Sequence, residues 1–152
     1  MNILFPLIFI FVASFLFAKI EIAIEGAHGW AENFPTWKLP KDHWISKLFF
    51  GGRPATGYHT WINLFMLFFF HIVYLFQLPS FPVELKLISL LVLFWVLEDF
   101  LWFVLNPAYG ISNFKKDKIW WHQEGWWWIA PREYFIFVPI SVILWVLSTF
   151  IK

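Results

Sequence analysis

Carboxylate and imidazole side chains recur inside apolar stretches of the sequence, where ionisable groups are costly and mark functional sites. Glu21, Glu25 and His28 follow one another at spacings of four and three residues. At about 100° per residue, a helix would bring all three within roughly 60° of arc on one face. Two later apolar stretches carry further groups of this kind, namely His59, His71, Glu98 and Asp99. These residues are the first candidates for chemistry.

Such a mixture of glutamate, aspartate and histidine is typical of divalent metal sites, because imidazole nitrogen and carboxylate oxygen bind Zn, Fe, Mn and Cu. Glu25-Gly26-Ala27-His28 is an E-x-x-H step. In di-iron carboxylate bundles that step directs both ligands toward the core, although those bundles carry two such steps. We predict one or two divalent transition-metal ions, with Zn and Fe as the leading candidates. The predicted ligands are Glu25, His28, His59, Glu98, Asp99 and His122.

Two further acids are predicted to act in catalysis rather than as ligands. Glu21 and Glu124 could each serve as a general base on a metal-bound water. If the metal is iron or copper, redox chemistry is equally open. A haem held by His28 and His59 is a less favoured alternative, since these histidines belong to different helices at similar depth.

The elements that must position these residues are predicted to be transmembrane helices. The chain is 61% hydrophobic and 14% charged, whereas a soluble domain has about 25% charged residues. A span needs about 20 mostly apolar residues, and four stretches qualify: 3–24, 58–78, 83–105 and 134–151. The apolar N-terminal stretch has no positive charge before it, so we expect a span rather than a signal peptide. The predicted fold is an all-α integral membrane protein, a four-helix bundle forming one domain over 1–152.

The connections between these spans differ greatly in length. Residues 79–82 form a tight turn with prolines at both ends, whereas 28–57 and 106–133 are long. The long loops follow the first and third of four spans, so both lie on one side of the membrane. Both termini and the tight turn then lie on the other side. Eight of the 11 basic residues are in the long loops. The positive-inside rule therefore predicts cytoplasmic, interfacial long loops and non-cytoplasmic termini.

Depth along the spans supports a single polar layer. Counted from the tight-turn side at about 1.5 Å per residue, Glu21 lies roughly 27 Å up, His59 roughly 28 Å and Glu98 roughly 23 Å. His122 and Glu124, in the loop segment 119–131 with its five tryptophans, could close this layer from above. That segment could line the headgroup region or enter the bundle. His71 is deeper and alone on its face, so we expect a packed, hydrogen-bonded histidine.

Two loop segments carry predictions of their own. Residues 41–50 place Trp44, Ile45, Leu48 and Phe49 on one face, which favours a short amphipathic helix in the interface. The glycine-rich segment 51–57 precedes a helix N-terminus, and with Lys47 and Arg53 it could hold a lipid phosphate. The alternative, which we favour, is a flexible lead-in to the helix.

Together these patterns predict a small integral membrane metalloprotein. We expect an enzyme that acts on a lipid-soluble or interfacial substrate at a Glu/His site near the cytoplasmic interface. The alternative is a non-catalytic accessory or scaffold subunit of a larger membrane complex. A proton carrier is less favoured, because the half of the bundle near the tight turn has few polar side chains that could relay a proton. The net charge of +1 and the absence of a basic stripe argue against nucleic acid, and no cysteine is present.

Overall fold

The chain folds into five α-helices within residues 3–151, the part that the computed structural model describes. Residues 1, 2 and 152 lie outside this range, so the predicted side of the chain ends stays a prediction. The helices are α1 (Leu4–Glu25), α2 (Trp44–Phe49), α3 (Gly57–Phe70), α4 (Phe81–Leu105) and α5 (Arg132–Phe150). A 3-10 turn, His71–Leu75, continues α3.

Among the described residues 3–151, four helical segments are long and apolar enough to cross a membrane. They are Leu4–Glu25, Gly57–Leu75, Phe81–Leu105 and Arg132–Phe150. Most of their large apolar side chains are exposed on the outer surface, which would be unfavourable in water. The prediction of four long apolar helices is confirmed. The predicted and observed bounds differ most for the second segment, predicted over 58–78. It ends at Leu75, because the helix tightens into a 3-10 turn before the proline-rich turn.

Helix α4 is the central helix, packed along α1 on one side and α5 on the other. The Ser14 hydroxyl donates to the backbone oxygen of Phe94 at 3.1 Å, joining α1 to α4. Ser89 and Ser141 donate to each other's backbone oxygens at 2.7 and 2.9 Å, joining α4 to α5. Small hydroxyl residues allow close helix approach and add interhelical hydrogen bonds where the surroundings are apolar.

The tight-turn end of α3 is fixed to α4 by a small polar cluster. Nε2 of His71 lies 2.9 Å from Oε1 of Glu84, and the Tyr74 hydroxyl donates to Oε2 of Glu84 at 2.7 Å. The prediction that His71 is hydrogen-bonded is confirmed. Its partner on α4 gives it a structural role, far along the helix from the polar residues at the other end.

Each long connection contains a short antiparallel strand pair. Strands β1 (Lys38–Leu39) and β2 (Ala55–Thr56) pair in the first, and β3 (Trp126–Trp127) and β4 (Ala130–Pro131) pair in the second. Helix α2 lies between β1 and β2, and Ser46 accepts a hydrogen bond from the Ala55 amide at 3.0 Å. Trp44, Leu48 and Phe49 are exposed on α2, as the predicted amphipathic helix requires.

The two long connections contact each other, and we call residues 26–56 and 106–131 together the cap. Nζ of Lys41 lies 3.0 Å from Oε1 of Glu124, and the Trp121 ring packs directly against Gly29. The side-chain amide of Asn106 donates to the backbone oxygen of Gly26 at 2.7 Å. The two parts of the Trp-rich segment 119–131 differ in burial: Trp121 is buried, whereas Trp127 and Trp128 are exposed. Trp121 therefore packs inside the molecule, whereas a place for the exposed part in the headgroup region stays a prediction.

Candidate functional site

A cavity of about 640 Å³ lies against α4, between α3 and α5 and beneath the cap. Its acidic lining residues are Glu21, Glu25, Glu98, Asp99 and Glu133, and its other polar lining includes Arg53, His59, His122 and Tyr134. Farther from the cap along the helices, the lining becomes apolar, with Leu64, Val92, Trp95, Val96 and Phe137. The cavity therefore has a polar end under the cap and an apolar end within the bundle.

Three buried glutamates from α1 and α4 form one side of the polar end. The Tyr58 hydroxyl donates to Oε1 of Glu21 at 2.8 Å, and the side chains of Glu21 and Glu98 are hydrogen-bond neighbours. Oε1 of Glu25 accepts from the Ala31 amide at 2.7 Å. Glu25 therefore orders the chain that leaves α1, while Glu21 and Glu98 face each other across the helix contact.

A histidine between two acids forms the other side. Nε2 of His122 lies 3.4 Å from Oδ1 of Asp99, and its Nδ1 lies 4.0 Å from Oε2 of Glu133. The Tyr134 hydroxyl donates to the other oxygen of Asp99. His122 comes from the cap, Asp99 from α4 and the remaining two from α5. An imidazole held in this way can pass a proton between a bound molecule and a carboxylate.

Arg53 enters the cavity from the cap and is held by two groups. Its guanidinium carbon lies 4.4 Å above the Trp30 ring, and its Nε donates to the backbone oxygen of Phe50 at 3.0 Å. Burial lowers the pKa of Arg53, whereas the nearby Asp99 and Glu133 oppose that shift. Because arginine starts from so high a pKa, the guanidinium stays charged. It is the fixed cation of an otherwise acidic site.

Trp30 links Arg53 to α3. Its ring is stacked on His59 with 4.1 Å between centroids, and its Nε1 donates to the backbone oxygen of Pro54 at 2.8 Å. Trp30 and Ala31 both have left-handed backbone conformations, with φ of 59° and 49°. Non-glycine residues hold such conformations only where surrounding contacts compensate, at about 1–3 kcal/mol each. The strained segment thus sets the position of the indole beside the cavity.

Three buried polar atoms among the described residues have no hydrogen-bond partner: Oε1 of Glu98, Nε1 of Trp102 and Oε2 of Glu133. All three residues line the cavity. Buried polar groups are nearly always paired with protein, water or a ligand. These three residues therefore keep hydrogen-bonding capacity that no described protein group uses.

The structure brings most of the predicted site residues together and leaves three outside. Glu21, Glu25, His59, Glu98, Asp99, His122 and Arg53 line the cavity. The His28 side chain is 60% exposed and lies 3.5 Å from Glu32. It does not share the helical face of Glu25, because α1 ends at Glu25 and Gly26 turns the chain with a φ of 64°.

The other two outlying residues belong to the surface of the cap. The Glu124 side chain is 81% exposed and pairs with Lys41, so it does not face the cavity. Lys47 is exposed on α2, whereas Arg53, predicted to act with it on a lipid phosphate, is turned inward. The lead-in to α3 is ordered by the pairing of β1 with β2.

The predicted ligands do not form a closed metal site. Within residues 3–151, no group of three or more histidine, aspartate or glutamate side chains is spaced to hold a metal ion. The Thr56 hydroxyl lies 2.7 Å from Nδ1 of His59, so that ring nitrogen is already paired. Oε1 of Glu25 already accepts a hydrogen bond from the Ala31 amide. Metal binding therefore stays a prediction.

Sequence reasoning missed Tyr58, which donates to Glu21, and three of the lining residues: Trp102, Glu133 and Tyr134. The last two begin the fourth span, at the level of the polar layer on the other three. Counting depth down that span would have found them. Tyr58 and Trp102 had no comparable signal, since aromatic residues are abundant throughout the chain.

The two ends of the cavity differ in chemical character. Carboxylates, an imidazole and a guanidinium converge at one end, and apolar side chains line the other. Comparisons of the chain with protein-family models, with curated proteins and with solved structures found no match. The function must therefore be argued from this geometry.

Proposed function

We propose that this chain is a small integral membrane enzyme that takes up an amphipathic, lipid-soluble substrate and acts on its polar end by acid–base chemistry. The observation that carries the proposal is the cavity, whose charged end is continuous with an apolar end between membrane-length helices. Its volume of about 640 Å³ falls in the range of small-molecule sites, about 300–1,000 Å³. Charged groups are retained at such depth when they serve a function.

The apolar end supports a substrate drawn from the bilayer. Leu64, Trp95 and Phe137 come from three different helices and line the part of the cavity away from the cap. A hydrocarbon tail placed there would leave one apolar environment for another at little cost. The head of the same molecule would then lie among Glu98, Asp99 and their neighbours.

His122 is the proposed general base. Asp99 would hold the imidazole and stabilise its protonated form, and Tyr134 would fix Asp99 by donating to it. A hydroxyl or water next to His122 would lose its proton to the imidazole as it reacts. Arg53 would stabilise negative charge that develops on the substrate, since it is charged and held by Trp30.

The membrane orientation is part of the same proposal. Both long loops would lie in the cytoplasmic interface, since they hold eight of the 11 basic residues. The exposed Trp44, Trp127 and Trp128 on the cap are suited to the headgroup region. The polar end of the cavity would then be at that interface, within reach of water and lipid heads.

The proposal is tested with protein reconstituted in vesicles made from total membrane lipid. We expect mass spectrometry to show a lipid that is consumed by wild type and not by His122→Gln. Glu124→Gln is the matched control, because Glu124 lies on the cap surface. To test the cavity itself, Leu64→Trp should reduce retained lipid. Equal lipid content in wild type and Leu64→Trp, with no lipid consumed, would overturn the proposal in favour of an accessory subunit.

A metal-dependent form of the same enzyme is the second candidate. The unpartnered Oε1 of Glu98 favours it, because a buried carboxylate oxygen without a donor suits a cation. Glu21, Asp99, His122 and Glu133 line the same cavity and are the groups that could share such an ion. Elemental analysis of untagged protein, purified without added metal, should then give about one ion per chain in wild type. If Glu98→Gln loses that ion, Glu98 is one of its ligands. If wild type contains no stoichiometric metal, the metal-dependent form is rejected.

A further inference from the structure

We infer that His71 and Glu84 form a proton-binding site at the tight-turn end of the bundle, and that the bound proton holds this end of α3 against α4. The inference goes beyond the proposed function and does not depend on it. His71 follows the last residue of α3, about 21 Å from Gly57 by the rise of the helix. The side chains of His71 and Glu84 are 24% and 34% exposed, so protons from the tight-turn side can reach them.

Both ring nitrogens of His71 face oxygen atoms that accept hydrogen bonds. Nδ1 lies 2.6 Å from the backbone oxygen of Leu67, and Nε2 lies 2.9 Å from Oε1 of Glu84. A neutral imidazole carries a proton on one nitrogen and a lone pair on the other. At these distances a lone pair would repel the oxygen opposite it. The geometry therefore requires a hydrogen atom in both contacts.

Two arrangements supply that hydrogen, and both contain the same number of protons. In one, a charged imidazolium donates to both oxygens beside an ionised Glu84. In the other, a protonated Glu84 donates to Nε2 of a neutral ring. Tyr74 fits either arrangement, because its hydroxyl donates to the other carboxyl oxygen at 2.7 Å. Each arrangement holds one proton more than a neutral histidine beside a carboxylate, and each has no net charge, which reduces the cost of apolar surroundings.

This polar cluster attaches a part of the chain that is otherwise exposed. No residue of the 3-10 turn His71–Leu75 is buried, and Leu75 and Phe76 have large exposed surfaces. The hydrogen bonds that join the turn to α4 both go to Glu84. Because α3 is one wall of the cavity, this attachment positions that wall from its far end.

Removal of the proton should release the contact. The titratable groups against His71 are Glu84 from α4 and Tyr74 from its own turn. Tyr74 already donates to the other carboxyl oxygen, so it does not replace the lost hydrogen. A lone pair would then face an oxygen, and the turn would separate from α4. Because only the folded chain holds this proton between two partners, the stability from the contact is greatest at low pH and falls as pH rises.

Solid-state NMR of the full chain in lipid bilayers tests the proton site itself. The samples carry isotope-labelled histidine and glutamate, and spectra of His71→Gln and Glu84→Gln assign the two signals. An isolated imidazole is mostly neutral at about pH 7, since its pKa is about 6.5. At that pH we expect either two protonated ring nitrogens at His71 or a protonated carboxyl group at Glu84. A neutral ring beside an ionised Glu84 would overturn the inference.

Thermal unfolding in lipid nanodiscs tests the attachment of α3. At about pH 6 we expect wild type to unfold about 2–4 °C above His71→Gln, the shift typical of losing one such contact in a chain of this size. The difference should vanish at about pH 9, where the proton no longer joins the two side chains. His28→Gln is the matched control, because His28 also lies beside a glutamate but on the exposed surface. Its change should leave the pH dependence of unfolding as in wild type.

The outcomes are independent of the proposed function, because neither measurement uses a lipid substrate or turnover. An advantage of wild type that is equal at both pH values would mean an ordinary hydrogen bond, and it rejects the proton-dependent attachment. Equal unfolding temperatures of wild type and His71→Gln at both pH values reject it as well. Either result leaves the proposed function standing, and a failure to find a consumed lipid leaves the proton site standing.

Discussion

Nε2 of His122 lies 3.4 Å from Oδ1 of Asp99, although 23 residues separate them and they belong to different layers of the molecule. Asp99 is on α4, and His122 is in the cap. The contact joins the cap to the helices at the polar end of the cavity. Because Tyr134 donates to the same carboxylate, Asp99 is held from α5 as well.

Replacing Asp99 with asparagine should separate chemistry from binding. The amide keeps the shape but removes the charge that stabilises protonated His122, so we expect turnover to fall about 10²–10⁴-fold with little change in amphiphile affinity. The measurement is lipid consumption beside native mass spectrometry of the bound ligand. Glu124→Gln should behave like wild type. Full turnover in Asp99→Asn would contradict the role given to His122.

Replacing Gly29 with alanine should loosen the cap. A Cβ at this position would lie 2.1 Å from Cη2 of Trp121 and would overlap a rigid ring. We expect the loss of packing to lower the free energy of unfolding by about 1–3 kcal/mol and to shift tryptophan fluorescence toward the red. In Gly125→Ala the nearest contact would be Nε of Arg132 at 3.3 Å, on a side chain that can move. Equal stabilities of the two variants would argue against the cap contact.

Replacing Ser141 with valine should weaken the contact between α4 and α5. The change removes the hydrogen bond from the Ser141 hydroxyl to the backbone oxygen of Ser89 and the contact between the two hydroxyls, and it adds bulk where the helices are close. We expect a loss of about 1–3 kcal/mol in the free energy of unfolding, against about 0.6 kcal/mol for Ser141→Ala. Denaturant titration in mixed micelles measures both. Thr149→Ala is the control, because that exposed hydroxyl bonds only within its own helix, to Val146, and a loss as large there would refute the packing argument.

Cysteine labelling should establish the membrane orientation, since the chain contains no native cysteine. Ser80→Cys places a thiol in the tight turn, and Lys116→Cys places one in the second long loop; both positions are exposed. We expect a membrane-impermeant maleimide to label Ser80→Cys in intact cells. Lys116→Cys should react only after permeabilisation. The reverse pattern would invert the proposed orientation, and labelling of both in intact cells would mean that they share a side.

The four long helices follow from the sequence alone, because twenty apolar residues in a row are a local property that needs no knowledge of neighbours. The same holds for α2, where Trp44, Leu48 and Phe49 recur at helical spacing. Depth counting also predicted that Glu21, His59 and Glu98 would meet, and all three line one cavity. Helix rise is regular, so distance along a span converts directly into height in the bundle.

What only the tertiary structure decided is which side chains face that cavity. The E-x-x-H step of Glu25 and His28 is regular only within a helix, and α1 ends at Glu25, so His28 turns outward. In the Trp-rich loop, His122 is buried against Asp99 whereas Glu124, two residues later, pairs with Lys41 at the surface. Loop direction depends on packing between distant segments such as Gly29 and Trp121. No local pattern encodes that packing, so only the fold shows which of the candidate residues face the cavity.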